Sequence, residues 1–363
     1  MKKDFYDFEE DFHGQEKKRF RKERRLLQEG DRSQFKKTDR AQKEAPEQIN
    51  ATLPRGRVVS ITGEGIWVDV DCKKILCSLK GLFKKELKET KNLVAVGDYV
   101  RISEGAIAQI EPRTSLLTRT DISGRKEQLI AANVDQVLVV VSVGDPPLKP
   151  ALVDRYLIAA EKGNIHPIVL VNKVDLLSSN PESQELYKEF LTSYEPLGIP
   201  ILSASVRSGV GIEAIRALMS HKTTAISGQS GVGKSSLINT AFGLNLKTGE
   251  LAVKTAKGSH TTTTSQLLPI ADGGYCVDTP GIRSFGIWNL ERADVISHFH
   301  DITIIAESCR FGDCSHTTEP HCAVRQALHE GKLPILRYES FQTLLDEATG
   351  GADNRTKRVK NDE

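Results

Sequence analysis

The strongest constraint on this chain is a phosphate-binding pattern that lies between a short apolar strand and the start of a helix. The strand is predicted at residues 224–226, and the helical pattern opens at Lys234 and continues through Ser236. Glycines in such a loop let backbone N–H groups surround a phosphate, and the helix N-terminus adds partial positive charge. We expect Lys234 to reach the β- and γ-phosphates, Ser235 to ligate Mg²⁺ and Ser236 to complete the nucleotide contacts. The pattern has the form G-x-x-x-x-G-K-S and reads Gly228-Gln229-Ser230-Gly231-Val232-Gly233-Lys234-Ser235.

A second motif, Asn172-Lys173-Val174-Asp175, follows the apolar strand of residues 168–171 and predicts that the bound base is guanine. A carboxylate at Asp175 can accept hydrogen bonds from guanine N1–H and from its exocyclic amine, a donor pair that adenine lacks. Asn172 is expected to brace the loops, and the stem of Lys173 to lie along the base. The next strand ends in Ser203-Ala204-Ser205, where we predict that the backbone N–H of Ala204 meets guanine O6.

Two further segments are predicted to surround the γ-phosphate. Asp278-Thr279-Pro280-Gly281 ends an apolar strand, so Asp278 is expected to hold Mg²⁺ through water and the Gly281 amide to contact the γ-phosphate. The segment of residues 257–264 lies between this element and the phosphate-binding loop. One of its threonines is expected to ligate Mg²⁺ only while the γ-phosphate is present. The candidates are Thr261, Thr262 and Thr263.

The order of the segments divides the chain. Residues 119–290 alternate apolar strands with helical stretches, which predicts an α/β domain with a mostly parallel sheet. Residues 51–118 show short runs of period two separated by glycine turns, which predict a small antiparallel barrel of the OB type. Residues 291–346 combine a cysteine cluster with a helical pattern, and residues 347–363 form a polar tail. The base-reading motifs precede the phosphate-binding loop, whereas an ordinary GTPase has them last.

The first fifty residues are dominated by charge and predict a disordered or partly helical tail. Within them, residues 17–43 carry twelve Lys and Arg against four Asp and Glu, a net charge of +8. Such a segment is either a solvated tail or an arm that binds nucleic acid through counterion release. No apolar run approaches the roughly 20 residues needed to cross a bilayer, and the start is too charged for a signal peptide. We therefore expect a soluble, cytoplasmic protein.

Three of the six cysteines crowd into one short segment and predict a metal site. Cys309, Cys314 and Cys322 can supply three thiolates, and His316 or His321 an imidazole. Such a set suits a closed tetrahedral structural zinc site. Reduced structural cysteines and an iron–sulfur cluster are the alternatives.

The order of the motifs, flanked by a barrel and a cysteine cluster, resembles the RsgA (YjeQ) family of circularly permuted, ribosome-dependent GTPases. The resemblance covers roughly residues 55–345 and includes His260-Thr261-Thr262-Thr263, although Ser259 stands where the family usually has Arg. It implies an OB barrel, a permuted GTPase domain and a zinc-binding helical domain. The family's metal-binding pattern falls on Cys309, Cys314, His316 and Cys322.

The resemblance further implies a late assembly factor for the small ribosomal subunit. Such a protein would bind rRNA and hydrolyse GTP when it is docked on the subunit. One structural Zn²⁺ per chain, Mg²⁺ with GTP, a monomeric state and no membrane association complete the expectation.

The position after the Asp-x-x-Gly element raises a question about catalysis. Ile282 stands there, where many GTPases place a Gln that orients the attacking water, and its side chain forms no hydrogen bond. Lys234 stabilises phosphate charge, but another group must hold the water. His260 is the candidate that the resemblance supports, and an ordinary exposed loop histidine is the alternative. Intrinsic turnover is therefore expected to be slow and stimulated by the partner.

Two other classes of function remain open at this point. A GTP-dependent RNA-binding module with little hydrolysis is compatible with Ile282. A metabolic kinase with a phosphate-binding loop is disfavoured, because Asp175 and the Ser203 loop read guanine and no motif for an acceptor substrate is found.

Overall fold

The structure, a computed structural model, describes residues 49–79, 93–120, 127–244, 246, 265–278 and 290–359. The basic segment of residues 17–43 lies outside these ranges. Within them, no helix combines the length and the apolar character needed to span a bilayer.

The first domain is a closed barrel of five strands. The strands follow the order β1-β2-β3-β5-β4, and β4 returns to pair with β1. Alternate residues such as Val58, Val68 and Val100 are fully buried inside it, as expected for strands with one face in a core. The predicted OB-type barrel is confirmed. Its strands are β1 (Arg55–Thr62), β2 (Gly65–Val70), β3 (Lys73–Leu79), β4 (Tyr99–Ser103) and β5 (Ala106–Ile110).

A short hairpin follows the barrel. Strand β6 (Leu116–Thr120) pairs with β7 (Glu127–Ala132) in a separate two-stranded sheet. The amide of Ala132 donates to the carbonyl of Val96 at 2.9 Å, which holds the hairpin against the barrel. The domain boundary expected at residue 118 therefore lies inside β6.

The central domain is a sheet with helices between its strands. The strand order is β10-β9-β8-β11-β13-β12, and all neighbours are parallel except β12, which is antiparallel to β13. The strands are β8 (Gln136–Ser142), β9 (His166–Asn172), β10 (Ile201–Ser203), β11 (Thr223–Ser227), β12 (Ser265–Pro269) and β13 (Tyr275–Asp278). The helices are α1 (Pro150–Lys162), α2 (Pro181–Tyr194), α3 (Ile212–Met219) and α4 (Lys234–Phe242).

Strand β8 explains why both faces of this sheet are covered. All of its residues are buried. Leu138 and Val140 pack in a core with residues of α3 and α4, whereas Val137 and Val139 pack in a core with residues of α1. Burial on both faces is the rule for parallel sheets, and it agrees with the α/β prediction.

The barrel and the central domain share one sheet. Strand β12 pairs with β13 on one side and with β1 of the barrel on the other, which produces eleven continuous strands. Ser60 lies opposite Gln266, and Ile61 lies opposite Ser265. The side chain of Ile61 packs against both the barrel core and the core of the central domain.

The C-terminal domain is helical. Its core contains the fully buried side chains of Val295, Phe299, Ile302, Val324 and Leu344. Helix α8 runs beyond residue 346, so the domain end expected there lies inside a helix. The helices are α5 (Arg292–His298), α6 (His300–Ala306), α7 (Ala323–His329) and α8 (Ile335–Val359).

A buried ionic network joins this helical domain to the central one. The carboxylate of Asp154 in α1 is fully buried and accepts hydrogen bonds from the Tyr194 hydroxyl and the Arg337 guanidinium. His298 Nε2 lies 3.1 Å from the same carboxylate. Arg337, only 1% exposed, also donates to Asp301 at 3.0 and 3.1 Å. Buried charges persist where they are paired in this way, so the network fixes the two domains together.

Candidate nucleotide site and metal centre

The phosphate-binding loop lies between β11 and α4 in a backbone conformation that favours glycine. Gly228, Gly231 and Gly233 have φ angles of +137°, +82° and +92°. A Cβ at Gly228 would lie 2.1 Å from the carbonyl oxygen of Val140, and one at Gly233 would lie 2.5 Å from Asn172 Nδ2. No side chain fits at either position. The loop is therefore held close to the carboxyl ends of β8 and β9.

The side chain of Lys234 is hydrogen-bonded to the backbone of this loop. Its Nζ donates to the carbonyls of Gly228 at 2.8 Å and Gln229 at 2.6 Å. The first turn of α4 contains no acidic residue, so nothing there offsets the positive end of the helix dipole. Backbone amides, an ammonium group and a helix N-terminus thus meet in one place, which is the chemistry that an oligophosphate requires.

Asn172 joins the base-reading motif to the phosphate-binding loop. The residue is 2% exposed, and its Nδ2 donates to the carbonyl of Val232 at 2.7 Å. Its Oδ1 is buried without a donor among the described residues. An unsatisfied buried acceptor costs about 1–3 kcal/mol, which indicates that this side chain is held in place for the site.

The loop between β8 and α1 borders both motifs, although no motif in the sequence marks it as part of the site. Lys173 has a φ of +64°, and its Nζ donates to the carbonyl of Asp145. A Cβ at Gly231 would lie 3.4 Å from Pro146 Cδ. The run of Gly, Asp and Pro in this loop marks a turn in the sequence, but it does not say which motifs the turn will meet.

Ser205 fixes the carboxylate that was assigned to guanine. Its Oγ donates to Asp175 Oδ1 at 2.5 Å and accepts from the amide of Ser208 at 3.1 Å. Ser205 is fully buried, whereas Asp175 is half-buried. The carboxylate is therefore oriented by a loop from the neighbouring strand, and Asp175 as a whole stays partly exposed.

The structure differs from the prediction for Ser203 and Ala204. The amide of Ala204 donates to the carbonyl of Val171 at 2.8 Å, because the ladder between β9 and β10 continues one residue past Ser203. The N–H that was assigned to guanine O6 is thus occupied by the sheet. The Ser203 hydroxyl lies 2.5 Å from the hydroxyl of Tyr187. The chain leaves the ladder at Ser205, whose amide donates to the carbonyl of Val210 at 3.0 Å.

The residues predicted to surround the γ-phosphate fall mostly outside the described residues. These are Ser259, His260, Thr261, Thr262, Thr263, Gly281 and Ile282. The described strands do show where these segments begin or end. Asp278 ends β13, which runs parallel to β11 with Val277 opposite Ala225, so the segment after it begins at the same sheet edge as the phosphate-binding loop.

The cysteine cluster has the dimensions of a tetrahedral metal site. The candidate ligand atoms of Cys309, Cys314, His316 and Cys322 all lie within 4.8 Å of one another. Cys309 Sγ lies 3.9 Å from Cys322 Sγ, and His316 Nδ1 lies 3.6 and 3.5 Å from these two sulfurs. Zinc with ordinary bond lengths requires about 3.8 Å between two sulfurs and about 3.6 Å between sulfur and nitrogen. The donor set fits zinc, and His316 rather than the exposed His321 faces it.

The thiols of the cluster have shifted pKa values. Burial raises the pKa of the Cys309 thiol, but the amides of Val324 and Ala323 and the neighbouring thiols outweigh it and lower the pKa. Burial and the negative charge of Cys322 and Cys309 raise the pKa of Cys314 to about 12. A divalent metal would favour the thiolate forms of these cysteines, and the donor set is compatible with one.

Comparison with known proteins gives a consistent match. The model of the family described as RsgA GTPase matches residues 110–288. A protein of Gemmatimonas aurantiaca, named small ribosomal subunit biogenesis GTPase RsgA, is 40% identical over 311 residues, which cover 82% of this chain and 99% of the relative. A protein of the same name from Chlorobaculum parvum is 40% identical over 314 residues, with the same coverage.

Two solved structures are also similar. The crystal structure of YjeQ from Thermotoga maritima has a TM-score of 0.63 and 31% identity, covering 82% of this chain and 99% of that one. The structure of YloQ, described as a circularly permuted GTPase, has a TM-score of 0.59 and 28% identity, covering 84% of this chain and 98% of that one.

Proposed function

This chain belongs to the RsgA GTPase family, and from that premise we propose that it is a GTP hydrolase that acts on the small ribosomal subunit during its biogenesis. One observation carries the proposal. Two hydrogen bonds, from Asn172 to Val232 at 2.7 Å and from Ser205 to Asp175 at 2.5 Å, bring the phosphate-binding loop and the base-reading loops to one sheet edge. Ligands of open α/β sheets bind at the carboxyl ends of the strands.

Guanine recognition is assigned to Asp175 with help from Ser205. The carboxylate accepts hydrogen bonds from N1–H and the exocyclic amine of guanine, while Ser205 holds its orientation. For guanine O6 to accept a hydrogen bond from the Ala204 amide, that amide would have to exchange its present bond to the Val171 carbonyl. Asn172 braces the phosphate-binding loop through its bond to Val232, and the stem of Lys173 is assigned to one side of the base.

The phosphates are assigned to the backbone of residues 228–236 and to Lys234. Ser235 and one of Thr261, Thr262 and Thr263 would hold Mg²⁺, with Asp278 behind it and the Gly281 amide at the γ-phosphate. The ion neutralises the charge that develops on the transferred phosphoryl group. Lys234 shares this task, and its present hydrogen bonds to loop carbonyls would be exchanged for bonds to phosphate oxygens.

His260 is proposed to hold the attacking water when the protein is docked. Ile282 stands where many GTPases have a Gln, so docking must supply the missing contact, and His260 lies beside the Thr segment in sequence. The substitution at Ile282 also keeps a second candidate open, a GTP-dependent RNA-binding module with little hydrolysis. Turnover with and without subunits separates the two.

One zinc ion per chain is assigned to Cys309, Cys314, His316 and Cys322. Amides at the start of α7 stabilise the thiolates, as the 3.5 Å contact from the Arg325 amide to Cys322 Sγ supports. The Tyr338 hydroxyl donates to the carbonyl of His316 at 2.8 Å, which holds the backbone of that ligand. A closed set of four protein ligands leaves no position for substrate, so the role is structural.

Ribosomal RNA is assigned to the exposed first half of β3. Lys73 and Lys74 are exposed there, beside Ile75 and Leu76 at 40% and 44% exposure. Basic groups bind phosphates, and barrels of the OB type often bind nucleic acid. The basic segment of residues 17–43 would add affinity through counterion release.

The decisive experiment measures GTP turnover by the full chain with and without purified small ribosomal subunits. We expect strong stimulation by small subunits and little by large ones, with ATP hydrolysed poorly in both cases. Turnover that is indifferent to small subunits would remove the proposed site of action, and tight GTP binding without turnover would favour the binding module.

A further inference from the structure

We infer, on the basis of the proposed zinc centre, that Glu319 is a positioning residue for the metal. Its carboxylate holds the loop that carries His316 in the conformation that turns the imidazole towards the cysteine sulfurs. Glu319 is not one of the four proposed ligands. Its role is to shape the loop, so that a buried ligand can be presented by an exposed stretch of chain.

Four hydrogen bonds converge on the Glu319 carboxylate from one short loop. Oε1 accepts from the amide of Ser315 at 2.8 Å and from its hydroxyl at 2.6 Å. Oε2 accepts from the amides of Thr317 and Thr318, each at 3.1 Å. The backbone on both sides of His316 is therefore bonded to a single side chain.

The hydroxyl of Thr317 extends this set of bonds. Its Oγ1 lies 2.6 Å from Ser315 Oγ. Each hydroxyl has one proton, and that of Ser315 is directed to Glu319, so Thr317 is the donor to Ser315. The two hydroxyls thus form a chain that ends on the carboxylate, whose charge strengthens the bond that it accepts.

The loop needs such support because His316 has a left-handed backbone conformation. Its φ angle is +63°, in a region that residues other than glycine rarely adopt. The His316 side chain is buried with Nδ1 close to the sulfurs of Cys309 and Cys322, whereas Ser315 and Thr317 on either side are exposed. Exposed residues contribute little packing, so the bonds to Glu319 are what stabilises this turn.

Helix α8 adds two further bonds to the same loop. The Tyr338 hydroxyl donates to the carbonyl of His316 at 2.8 Å, and Gln342 Nε2 donates to the carbonyl of Ser315 at 3.2 Å. These groups bond carbonyls of the loop, whereas Glu319 bonds its amides, so the two sets do not compete. Loss of the carboxylate alone should therefore loosen the loop while α8 keeps it attached to the domain.

A direct role as a metal ligand does not fit Glu319. An ionised carboxylate offers about four acceptor positions, and the four bonds from the loop fill them. Groups that orient metal ligands without binding the metal typically change metal affinity about 10- to 100-fold when they are replaced. The side chains that meet within 4.8 Å are those of Cys309, Cys314, His316 and Cys322.

The test measures how zinc divides at equilibrium between the full chain, loaded with zinc, and a chelator of known affinity. Glu319→Gln keeps the size of the side chain but places an amide, itself a donor, among the donors of the loop. We expect zinc affinity to fall about 10- to 100-fold. Glu319→Asp keeps the charge, but its carboxylate is one methylene short of the loop, so it should also weaken zinc binding.

Glu330→Gln is the matched control. Glu330 is a carboxylate of the same domain that pairs with Lys332 at the surface, and its replacement should leave zinc affinity unchanged. Unchanged affinity in Glu319→Gln overturns the inference. Unchanged affinity in Glu319→Asp also overturns it, because charge rather than geometry would then be responsible. Absence of zinc from the unmodified protein would remove the metal assignment itself, and the role of Glu319 with it.

Hydrogen exchange on the unmodified, zinc-loaded protein tests the bonds without a variant. The amides of Ser315, Thr317 and Thr318 belong to exposed residues, and exposed amides exchange rapidly unless they are held. We expect all three to be protected relative to an unstructured peptide, and to lose protection in Glu319→Gln while the Gln326 amide, bonded to the carbonyl of Cys322, keeps it. Rapid exchange of all three in the unmodified protein would overturn the inference.

Discussion

The hydroxyl of Ser205 donates a 2.5 Å hydrogen bond to Oδ1 of Asp175, across two loops that follow neighbouring strands. The base-reading carboxylate is therefore not held by its own motif alone. Guanine selection should depend on both residues, and to different extents.

Replacement of Asp175 by Asn should weaken GTP binding and shift preference towards xanthosine triphosphate. The amide presents one donor where the carboxylate offered two acceptors, and a hydrogen bond to a charged group is worth about 1.5–3 kcal/mol. A competition assay with the two nucleotides measures the effect, with the nearby Asp145→Asn as control. Retained preference for GTP in Asp175→Asn would make the assignment wrong.

Removal of the Ser205 hydroxyl in Ser205→Ala should raise the KM for GTP by up to about 12- to 160-fold, since a hydrogen bond to a charged carboxylate contributes about 1.5–3 kcal/mol. We expect kcat at saturating GTP to change little. Ser203→Ala is the matched control, because that hydroxyl contacts Tyr187 of α2. If Ser203→Ala impairs GTP binding and Ser205→Ala does not, the original assignment to Ser203 and Ala204 would be restored.

The metal cluster should contain about one zinc per chain. Elemental analysis of the purified protein should show this content lost in His316→Ala and kept in His321→Ala, because only the first faces the sulfurs. Unchanged zinc in His316→Ala would move the fourth ligand elsewhere, and folded, active protein without metal would end the assignment.

Replacement of His260 by Ala should leave GTP affinity nearly intact and remove most of the hydrolysis that the subunit stimulates. In other GTPases, an arginine finger that acts in the hydrolysis step raises kcat by roughly 10³–10⁵. Lys234→Ala should reduce binding and turnover together. Single-turnover hydrolysis at saturating subunits, measured beside nucleotide affinity, distinguishes the two, and full stimulated turnover by His260→Ala would assign the water to another group.

Loss of Arg337 should destabilise the protein by about 3–5 kcal/mol, the usual cost of leaving a buried charge without its partner. Arg337→Met keeps the volume but leaves Asp154 with fewer donors. Chemical denaturation measures the change, and Arg325→Met, at a residue that bonds at the exposed surface, is the control. Equal stability of both variants would mean that the network does not fasten the domains.

Most of the fold could be predicted from short stretches of sequence, because the residues that define each strand, loop or helix are neighbours in the chain. The loop of residues 228–235 is an example, since its glycines, its Lys and the flanking strand are neighbours in the chain. The OB-type barrel was predicted from alternation for the same reason.

The features that could not be predicted depend on the register between strands and on pairing between residues far apart in the chain. The ladder that occupies the Ala204 amide follows from how β10 slides against β9, and a shift of two residues leaves the apolar pattern unchanged. The pairs between β1 and β12 join residues some two hundred positions apart, and nothing local marks them. Arg337 and Asp154 each resemble ordinary surface residues until the helices are packed together.

The eleven-stranded sheet has a consequence for any attempt to study the parts alone. A barrel cut away from the rest would expose the edge of β1 around Ser60, and a GTPase fragment without the barrel would expose the edge of β12 around Gln266. Unpaired strand edges recruit other chains and promote aggregation. Each half thus acts as the other's protective cover against self-association, so insolubility of the separate fragments would reflect lost edge protection rather than an inability to fold.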